Sequence, residues 1–345
     1  MGMLTQKQVQ FLREELQTAQ NPLFIHDGDG DGLCSFLLLY RINREGKNFI
    51  FKAAPKLDAS FLEKMKGYHA DKVFILDIPM VDQEFIDGLK RPVFWIDHHE
   101  PQKRDNVHYF NPRINNPDAY IPTTYMAYQI SQKKEDLWLA TAGCFADYMD
   151  PDFLPEFIER YPQYLKKHEA LPTMIFKRPI SKLVKLFFFL LKGPTSEIRK
   201  SVKVLTRIEH PDEIFKETTS QGKFLHKRFE KINAKYQELL TLARKQVTRS
   251  KVFVFYYTDT HWSFTANIAN ELTALYPKKV VIIAREKSGE MKCSLRAQFP
   301  IVTALKKALE GVEGYGGGHP NACGAVIKKE DFEQFLTVFK KELKK

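Results

Sequence analysis

Residues 26–32 constrain the fold of this chain more than any other segment, because they place three carboxylates, each followed by glycine, between two apolar runs. The apolar run at 23–25 is typical of a short buried strand, and the run at 33–40 is typical of a buried helix. The alternating glycines let the connecting loop turn sharply and bring its backbone close to a ligand. The three carboxylates repel one another, and a divalent cation such as Mg²⁺ or Mn²⁺ relieves that repulsion. They belong to Asp27, Asp29 and Asp31.

Loops rich in aspartate and glycine also occur as solvated turns and as calcium-binding loops. A cluster of aspartates and glycines is often only a solvated turn, and this segment alone does not decide between a turn and a metal site. A calcium loop of the EF-hand type requires a glutamate at its twelfth position. Counted from Asp27 that position is Leu38, so the calcium loop is excluded. Whether His26 or Asp27 touches a metal directly is left open.

The composition predicts an ordinary globular protein. A chain of 345 residues is long enough for two domains with normal cores. The N-terminal segment 6–20 is polar and amphipathic, unlike a signal peptide, and no apolar run approaches the roughly 20 residues of a membrane span. The four cysteines form no CxxC pair, which argues against a zinc ribbon or a disulfide framework. We therefore expect a cytoplasmic protein without membrane association.

Positive charge is concentrated in the middle of the chain. The net charge is +11, and residues 177–251 contain 19 Lys or Arg against 7 Asp or Glu, so the remainder is close to neutral. A basic segment in a chain with an acidic motif indicates that a polyanion such as nucleic acid binds near a metal centre. The alternative is a helical surface with solvated lysines.

Apolar runs and helical patterns alternate through the first hundred residues. The strand-like runs lie at 23–25, 49–54, 73–76 and 93–96. This alternation predicts an α/β fold with a mainly parallel sheet and helices on its faces, in which ligands bind at the carboxyl ends of the strands. Asp77 directly follows the third run, and Asp97-His98-His99 follows the fourth. Carboxylates and imidazoles are therefore expected to collect at one edge of the sheet.

A further carboxylate is expected to join this set. Asp147 follows a helix of small and apolar residues, with Asp150 as a competitor for the same role. Many carboxylates with one or two histidines and no cysteine favour Mn²⁺ or Mg²⁺ over structural zinc. Such a set suggests two ions about 3.5–4 Å apart, an arrangement that serves the hydrolysis of phosphate esters.

These motifs together resemble those of the DHH phosphoesterase family. The sequence Asp27-Gly-Asp-Gly-Asp-Gly, then Asp77, Asp97-His98-His99 and Asp147, is similar to its four successive motifs, with the first nearer to the RecJ branch. Residues 316–324, Gly-Gly-Gly-His-Pro-Asn-Ala-Cys-Gly, resemble the GGGHxxAAG signature of the DHH-associated domain. Arg296 is similar to the substrate-side arginine of that domain, and Cys323 stands where the family usually has alanine.

The resemblance and the residue pattern together imply that the chain consists of two domains and a connector between them. These are a catalytic DHH domain at 1–150, a basic helical connector at 151–250 and a smaller α/β DHH-associated domain at 251–345. The connector is expected to contain a buried helix at 182–191 that joins the domains and a long amphipathic helix at 224–249.

The resemblance also implies roles for the site residues. The ligands expected to hold two Mn²⁺ ions, with Mg²⁺ as an alternative, are Asp27, Asp29, Asp31, Asp77, His98 and Asp147. Asp97 is expected to orient His98, and His99 to contact the scissile phosphate or protonate the leaving group. A glycine-rich loop and its neighbours are expected to grip the end of the substrate across a cleft between the domains. These substrate-binding residues are Arg296, Gly316, Gly317, Gly318 and His319.

The implied function is a metal-dependent exonuclease, a hydrolase of phosphodiester bonds at the end of single-stranded RNA or DNA. One alternative is a nanoRNase or 3′-phosphoadenosine 5′-phosphate phosphatase that acts on very short substrates. An alternative of another class is a non-catalytic scaffold with replication or repair partners. The sequence leaves the polarity of degradation, the choice between RNA and DNA and the oligomeric state open.

Overall fold

The computed structural model describes residues 3–52, 54–258 and 261–343. The chain divides into two compact units, one of Met1–Leu191 with Thr195–Lys227 and one of Lys192–Pro194 with Arg228–Lys345. Residues 151–250, expected to form a connector, therefore contribute to both units.

The first unit contains a five-stranded sheet in which every neighbouring pair is parallel. Its strands are β1 (Leu23–Asp27), β2 (Lys47–Phe51), β3 (Val73–Leu76), β4 (Val93–Ile96) and β5 (His108–Phe110), in the spatial order β2-β1-β3-β4-β5. The predicted α/β class is confirmed.

A row of stacked phenylalanines aligns the three central strands. Phe24, Phe74 and Phe94 are in register, and their ring centroids are 5.4 Å and 4.8 Å apart along the row. Shifting any of these strands by one residue would turn its buried side chains to the opposite face. The register therefore brings the carboxyl ends of β1, β3 and β4 to one level.

Two strands differ from the sequence prediction. The strand predicted at 49–54 begins two residues earlier and ends at Phe51, and Ala53 lies outside the described residues. The strand β5 was not predicted, because three residues that begin with an exposed histidine give no apolar run.

The helix α2 (Gly30–Tyr40) packs directly on this sheet, against β1 and β3. The α-helices that precede the second sheet are α1 (Gln6–Thr18), α2, α3 (Leu62–Lys66), α4 (Gln83–Leu89), α5 (Thr123–Ser131), α6 (Leu137–Ala146), α7 (Leu154–Arg160), α8 (Leu171–Lys177), α9 (Ile180–Leu190), α10 (Thr195–Leu205), α11 (Asp212–Phe215) and α12 (Ser220–Lys245).

Close packing of α2, α5 and α6 sets the position of the last predicted carboxylate. A Cβ at Gly143 of α6 would lie 2.3 Å from Oγ1 of Thr124 and 2.7 Å from Cβ of Cys34, so only glycine permits this approach. The C-terminal end of α6, where Asp147 is the capping residue, is thereby held beside the start of α2.

The helices α9 and α12 were both predicted. α9 is buried as expected, and it packs against α2, α6 and α8 within the first unit. The boundary between the units falls inside α12, a helix of 26 residues.

The second unit contains a mixed five-stranded sheet in the order β6-β7-β8-β10-β9. Its elements are β6 (Val252–Thr258), α13 (Thr265–Leu275), β7 (Val280–Lys287), β8 (Glu290–Arg296), α14 (Val302–Leu309), β9 (Gly314–His319), β10 (Ala322–Lys328) and α15 (Phe332–Glu342). The prediction of a glycine-rich loop is wrong, because Gly316–Gly318 lie in the edge strand β9 and pair antiparallel with β10.

Two further observations concern the described part of the chain. Its four cysteines are buried and unbonded. None of its helices combines the length and the apolar character needed to cross a bilayer.

Candidate metal centre

The first acidic loop is held tightly at the end of β1. Asp29 caps the N-terminus of α2, and its Oδ1 accepts a hydrogen bond of 3.0 Å from the Gly32 amide. A Cβ at Gly32 would lie 2.7 Å from the carbonyl oxygen of Asp27, so glycine is required for the helix to begin this close to the strand. The loop therefore presents Asp27, Asp29 and Asp31 within one turn.

Asp31 is fully buried and bound at both carboxylate oxygens. Its Oδ2 accepts from the Thr123 amide at 2.8 Å, and its Oδ1 accepts from the Thr124 amide at 2.7 Å. These donors belong to the first turn of α5, where unpaired amides and the helix dipole favour a negative charge. Backbone donors thus hold the carboxylate in place.

His98 lies at the centre of the acidic cluster. Its Nε2 is 3.3 Å from Oδ1 of Asp77, 3.3 Å from Oδ2 of Asp147 and 3.9 Å from Oδ2 of Asp31. Asp77 has a positive φ of 60°, a conformation that costs about 1 kcal/mol or more in a residue other than glycine. The backbone is strained where this carboxylate enters the site.

Three groups of side chains are close enough to share a cation. Within each group the potential ligand atoms lie within 4.8 Å of one another. The groups are Asp27 with Asp29 and Asp77, Asp31 with His98 and Asp147, and Asp77 with His98 and His99. Each of the six predicted metal ligands belongs to at least one group, and Asp77 and His98 each belong to two. Asp150 belongs to none, and its Oδ2 instead lies 2.6 Å from Nε2 of His168.

Burial and repulsion by neighbouring carboxylates oppose ionisation of Asp27, Asp29, Asp77 and Asp147. Burial, followed by the charge of Asp31, raises the pKa values of Asp29, Asp77 and Asp147. Burial and the charge of Asp29 raise the pKa of Asp27 to about 7. Carboxylates crowded in a site without a counter-charge are stabilised by a cation.

The donor set fits a hard divalent cation. Burial lowers the pKa of His98, which favours the neutral imidazole, and a neutral ring nitrogen is a metal ligand. The other donors are carboxylate oxygens, which suit Mn²⁺ and Mg²⁺. The residues present therefore fit the ions that the sequence implies.

The predicted partner of Asp97 is wrong. Asp97 is fully buried, and its Oδ1 lies 2.8 Å from Nδ1 of His99, whereas Nδ1 of His98 has no hydrogen-bond partner among the described residues. Burial alone would lower the pKa of His99, but the hydrogen bond and the charge of Asp97 outweigh it, and the pKa is raised. Asp97 thus orients His99 and favours its protonated form.

Sequence reasoning missed a further residue of this network. Nδ2 of Asn111 donates to Oδ2 of Asp97 at 3.3 Å and to the carbonyl oxygen of His99 at 2.9 Å. Asn111 directly follows β5, so it occupies the same edge of the sheet as the predicted site residues. A prediction of β5 would have pointed to it.

His26 lies away from the cluster. Its ring stacks on Phe36 with a centroid distance of 5.1 Å, its Nδ1 is 2.7 Å from the carbonyl oxygen of Asp27, and burial lowers its pKa to about 4. It belongs to none of the three ligand groups, whereas Asp27 does.

The predicted substrate-binding residues lie together in the second unit. Arg296 pairs with Ala322 across β8 and β10, and Ala322 pairs with His319 across β10 and β9. Directly opposed residues of an antiparallel sheet share a face, so Arg296 and His319 lie on one side. Nε of Arg296 also donates to Oδ1 of Asn270 at 2.7 Å, which fixes the guanidinium.

Solved structures share this fold. RecJ of Thermus thermophilus in complex with Mn²⁺ is 17% identical with a TM-score of 0.68, and the match covers 97% of this chain and 53% of RecJ. An exonuclease RecJ bound to manganese is 17% identical with a TM-score of 0.57, covering 96% of this chain and 92% of that one. CDC45 of Entamoeba histolytica is 8% identical with a TM-score of 0.56, covering 98% and 99%. This chain therefore spans about half the length of the Thermus RecJ.

Family comparisons agree with the motifs. No curated protein sequence matches the chain significantly. Residues 23–149 match the DHH family, N-terminal domain, and residues 249–345 match the DHHA1 domain. The resemblance stated from the motifs is confirmed, and this chain is a DHH-family protein with a DHHA1 domain after its DHH domain.

Proposed function

We propose that this chain is a metal-dependent phosphodiesterase that removes nucleotides from an end of single-stranded RNA or DNA. The observation that carries the proposal is the buried set of carboxylates around His98 at the carboxyl edge of the parallel sheet. The likeness to two structures of RecJ, one of them described as an exonuclease bound to manganese, supports the reaction type.

Two divalent ions would be held by Asp27, Asp29, Asp31, Asp77, His98 and Asp147. When bound, such ions acidify a water molecule and neutralise the charge of a phosphodiester. Hydrogen bonds from α5 keep Asp31 in position, so this part of the site is preorganised. Mn²⁺ and Mg²⁺ both suit these ligands.

His99 would supply a proton. The hydrogen bond to Asp97 leaves Nε2 as the outward nitrogen of the ring, and the raised pKa favours the protonated imidazole. A protonated imidazole beside a scissile phosphate can donate to the leaving oxygen. Asn111 would hold Asp97 in the orientation that this requires.

The DHHA1 domain would bind the end of the substrate. Arg296 on the central strand β8 and His319 on the edge strand β9 lie on one face of its sheet, beside the glycines of β9. An arginine held by Asn270 is suited to bind a phosphate. Binding of a free end would favour exonuclease over endonuclease behaviour.

A basic surface in the first unit favours longer single strands over isolated dinucleotides as the substrate. Nζ of Lys200 in α10 lies 4.9 Å from the ring centroid of Phe224 in α12, so these two helices are adjacent. Their exposed cations without an ion-pair partner among the described residues include Arg199, Lys200, Lys203, Lys223 and Lys227. Unpaired cations bind phosphates at the expense of counterions, so affinity should fall steeply with salt.

The test is a Mn²⁺-dependent digestion of end-labelled RNA and DNA, from dinucleotides to strands of about thirty nucleotides, with a chelator control. Asp147→Asn should abolish activity, and Asp150→Asn is the matched control, since Asp150 lies outside the cluster. Ladders on long strands support the proposal. Cleavage confined to the shortest substrates would contradict the proposal and indicate a nanoRNase or a phosphatase of very short substrates. No cleavage at any length, with metal bound, would contradict it and indicate a non-catalytic scaffold.

A further inference from the structure

An exposed aromatic ring stands beside the metal centre. Tyr120 is 57% exposed, and its ring centroid lies 5.9 Å from the His98 ring at an interplanar angle of 70°. Its hydroxyl donates to the backbone carbonyl oxygen of Asp147 at 2.6 Å. Both contacts are with predicted metal ligands, so the ring lies at the rim of the site with much of its surface in solvent.

The backbone on both sides of this ring is fixed. The amide of Ala119 donates to the carbonyl oxygen of Asn116 at 2.9 Å and closes a turn directly before Tyr120. Ile121 is buried directly after it, and Pro122 caps α5. The hydroxyl contact fixes the side chain as well, so little conformational freedom is lost when a ligand meets the ring.

We propose that Tyr120 is a stacking platform for a nucleobase of the substrate, next to the scissile phosphate. An apolar aromatic face beside a phosphate-processing centre suits a ligand that carries a flat, uncharged ring close to a phosphate, which is the chemistry of a nucleotide. Stacking accepts every base because every base has a π-face. This assignment rests on the proposed function for the phosphate and extends it to the base.

The hydroxyl offers a competing role for the same residue. Through its bond to the Asp147 carbonyl, Tyr120 could act only by holding a metal ligand in place. In that case the ring itself would be dispensable, and the loss of Tyr120 would affect all substrates equally. Tyr120→Phe and Tyr120→Leu separate the two roles, since only the second removes the ring.

The experiment measures binding of a phosphorothioate dinucleotide and of two analogues, each with a tetrahydrofuran residue in place of one nucleoside, in the presence of Mn²⁺. The wild type should prefer the intact dinucleotide over one analogue roughly five- to hundredfold, the effect of one base–aromatic stack. Tyr120→Phe should keep this preference and Tyr120→Leu should lose it. Tyr256→Leu is the control, because Tyr256 is 61% exposed on β6 of the second unit.

Equal binding of all three probes by the wild type overturns the assignment, as does an unchanged preference in Tyr120→Leu. An equal loss of affinity for all three probes in both Tyr120→Phe and Tyr120→Leu assigns the hydroxyl role instead. Loss of the preference in Tyr120→Phe, which keeps the ring, also overturns the stacking role. Hydrolysis of the corresponding phosphodiester dinucleotide is measured separately. Its absence would refute the proposed function, while the binding preference would still decide whether Tyr120 stacks a base.

Discussion

Replacing Asp27 by asparagine is expected to stabilise the metal-free protein, by an amount that grows with pH. Burial and the charge of Asp29 raise the pKa of this carboxyl from 3.8 to about 7. The protonated Asp27 carboxyl contributes fully to the free energy of unfolding below the pKa that it has in the unfolded chain. This contribution is lost as the pH rises through the pKa that it has in the folded protein. In that window the folded protein keeps a proton that the unfolded chain has released, so raising the pH favours unfolding.

The magnitude follows from the width of the window. The interval from about pH 5 to the folded pKa of about 7 spans about two pH units. At about 1.36 kcal/mol per unit, the free energy of unfolding changes by about 2.7 kcal/mol over this interval. His26, whose pKa burial lowers to about 4, acts in the opposite direction. Because His26 is present in both proteins, its effect cancels when the variant is compared with the wild type.

The assay is denaturant unfolding with a chelator at pH 5 and pH 8, followed through the fluorescence of Trp95 and Trp138, both buried in the first unit. The free energy of unfolding of Asp27→Asn, relative to wild type, should rise by about 2.7 kcal/mol between these pH values. Adding Mn²⁺ at pH 8 should stabilise the wild type more than the variant. The variant lacks one proposed metal ligand and should bind the ion more weakly, and a ligand stabilises the folded protein only to the extent that it binds. A difference independent of pH would show that the pKa of the Asp27 carboxyl is not raised in the folded protein. Equal stabilisation of both proteins by Mn²⁺ would show that Asp27 does not bind the ion.

Three further predictions concern other parts of the chain. Asp97→Asn should lower Mn²⁺-dependent hydrolysis by roughly 10- to 100-fold, as measured by initial rates, because the histidine two residues later loses its charged partner. Gly318→Ala should destabilise the DHHA1 domain by about 1–3 kcal/mol, since φ is +136° and the new Cβ would lie 2.5 Å from a carbonyl oxygen. Gly317→Ala, which meets open space, should leave the unfolding free energy unchanged. Arg41→Met should cost about 3–5 kcal/mol in denaturant unfolding, because it leaves the buried Asp136 unpaired, and wild-type stability would contradict this.

The parallel sheet could be predicted because its strands are unambiguous in the sequence. The bounds of β3 and β4 match the prediction, since each is a run of four buried apolar residues followed within one residue by aspartate. Because the carboxyl ends of parallel strands meet at one edge of the sheet, it could also be predicted that Asp77 and His98 lie near the loop after β1. These inferences need only local pattern and a rule of topology.

Other features depend on contacts that no local pattern reveals. Three glycines in succession favour a turn, yet β9 forms because β10 supplies hydrogen-bond partners along its length. The pairing of Asp97 with His99 follows from the direction of two adjacent side chains after β4. Tyr120 lies beside His98 because of the path of the loop before α5. The sequence of that loop contains no pattern from which this position could be predicted.

The most direct test of the metal centre is a crystal structure with Mn²⁺, using anomalous scattering at the manganese edge. We expect two anomalous peaks, one contacted by the carboxylates of Asp27 and Asp29 and one by Asp31, His98 and Asp147, with Asp77 near both. Absence of peaks from this cluster at saturating Mn²⁺, or peaks located only elsewhere on the protein, would rule out the proposed metal centre.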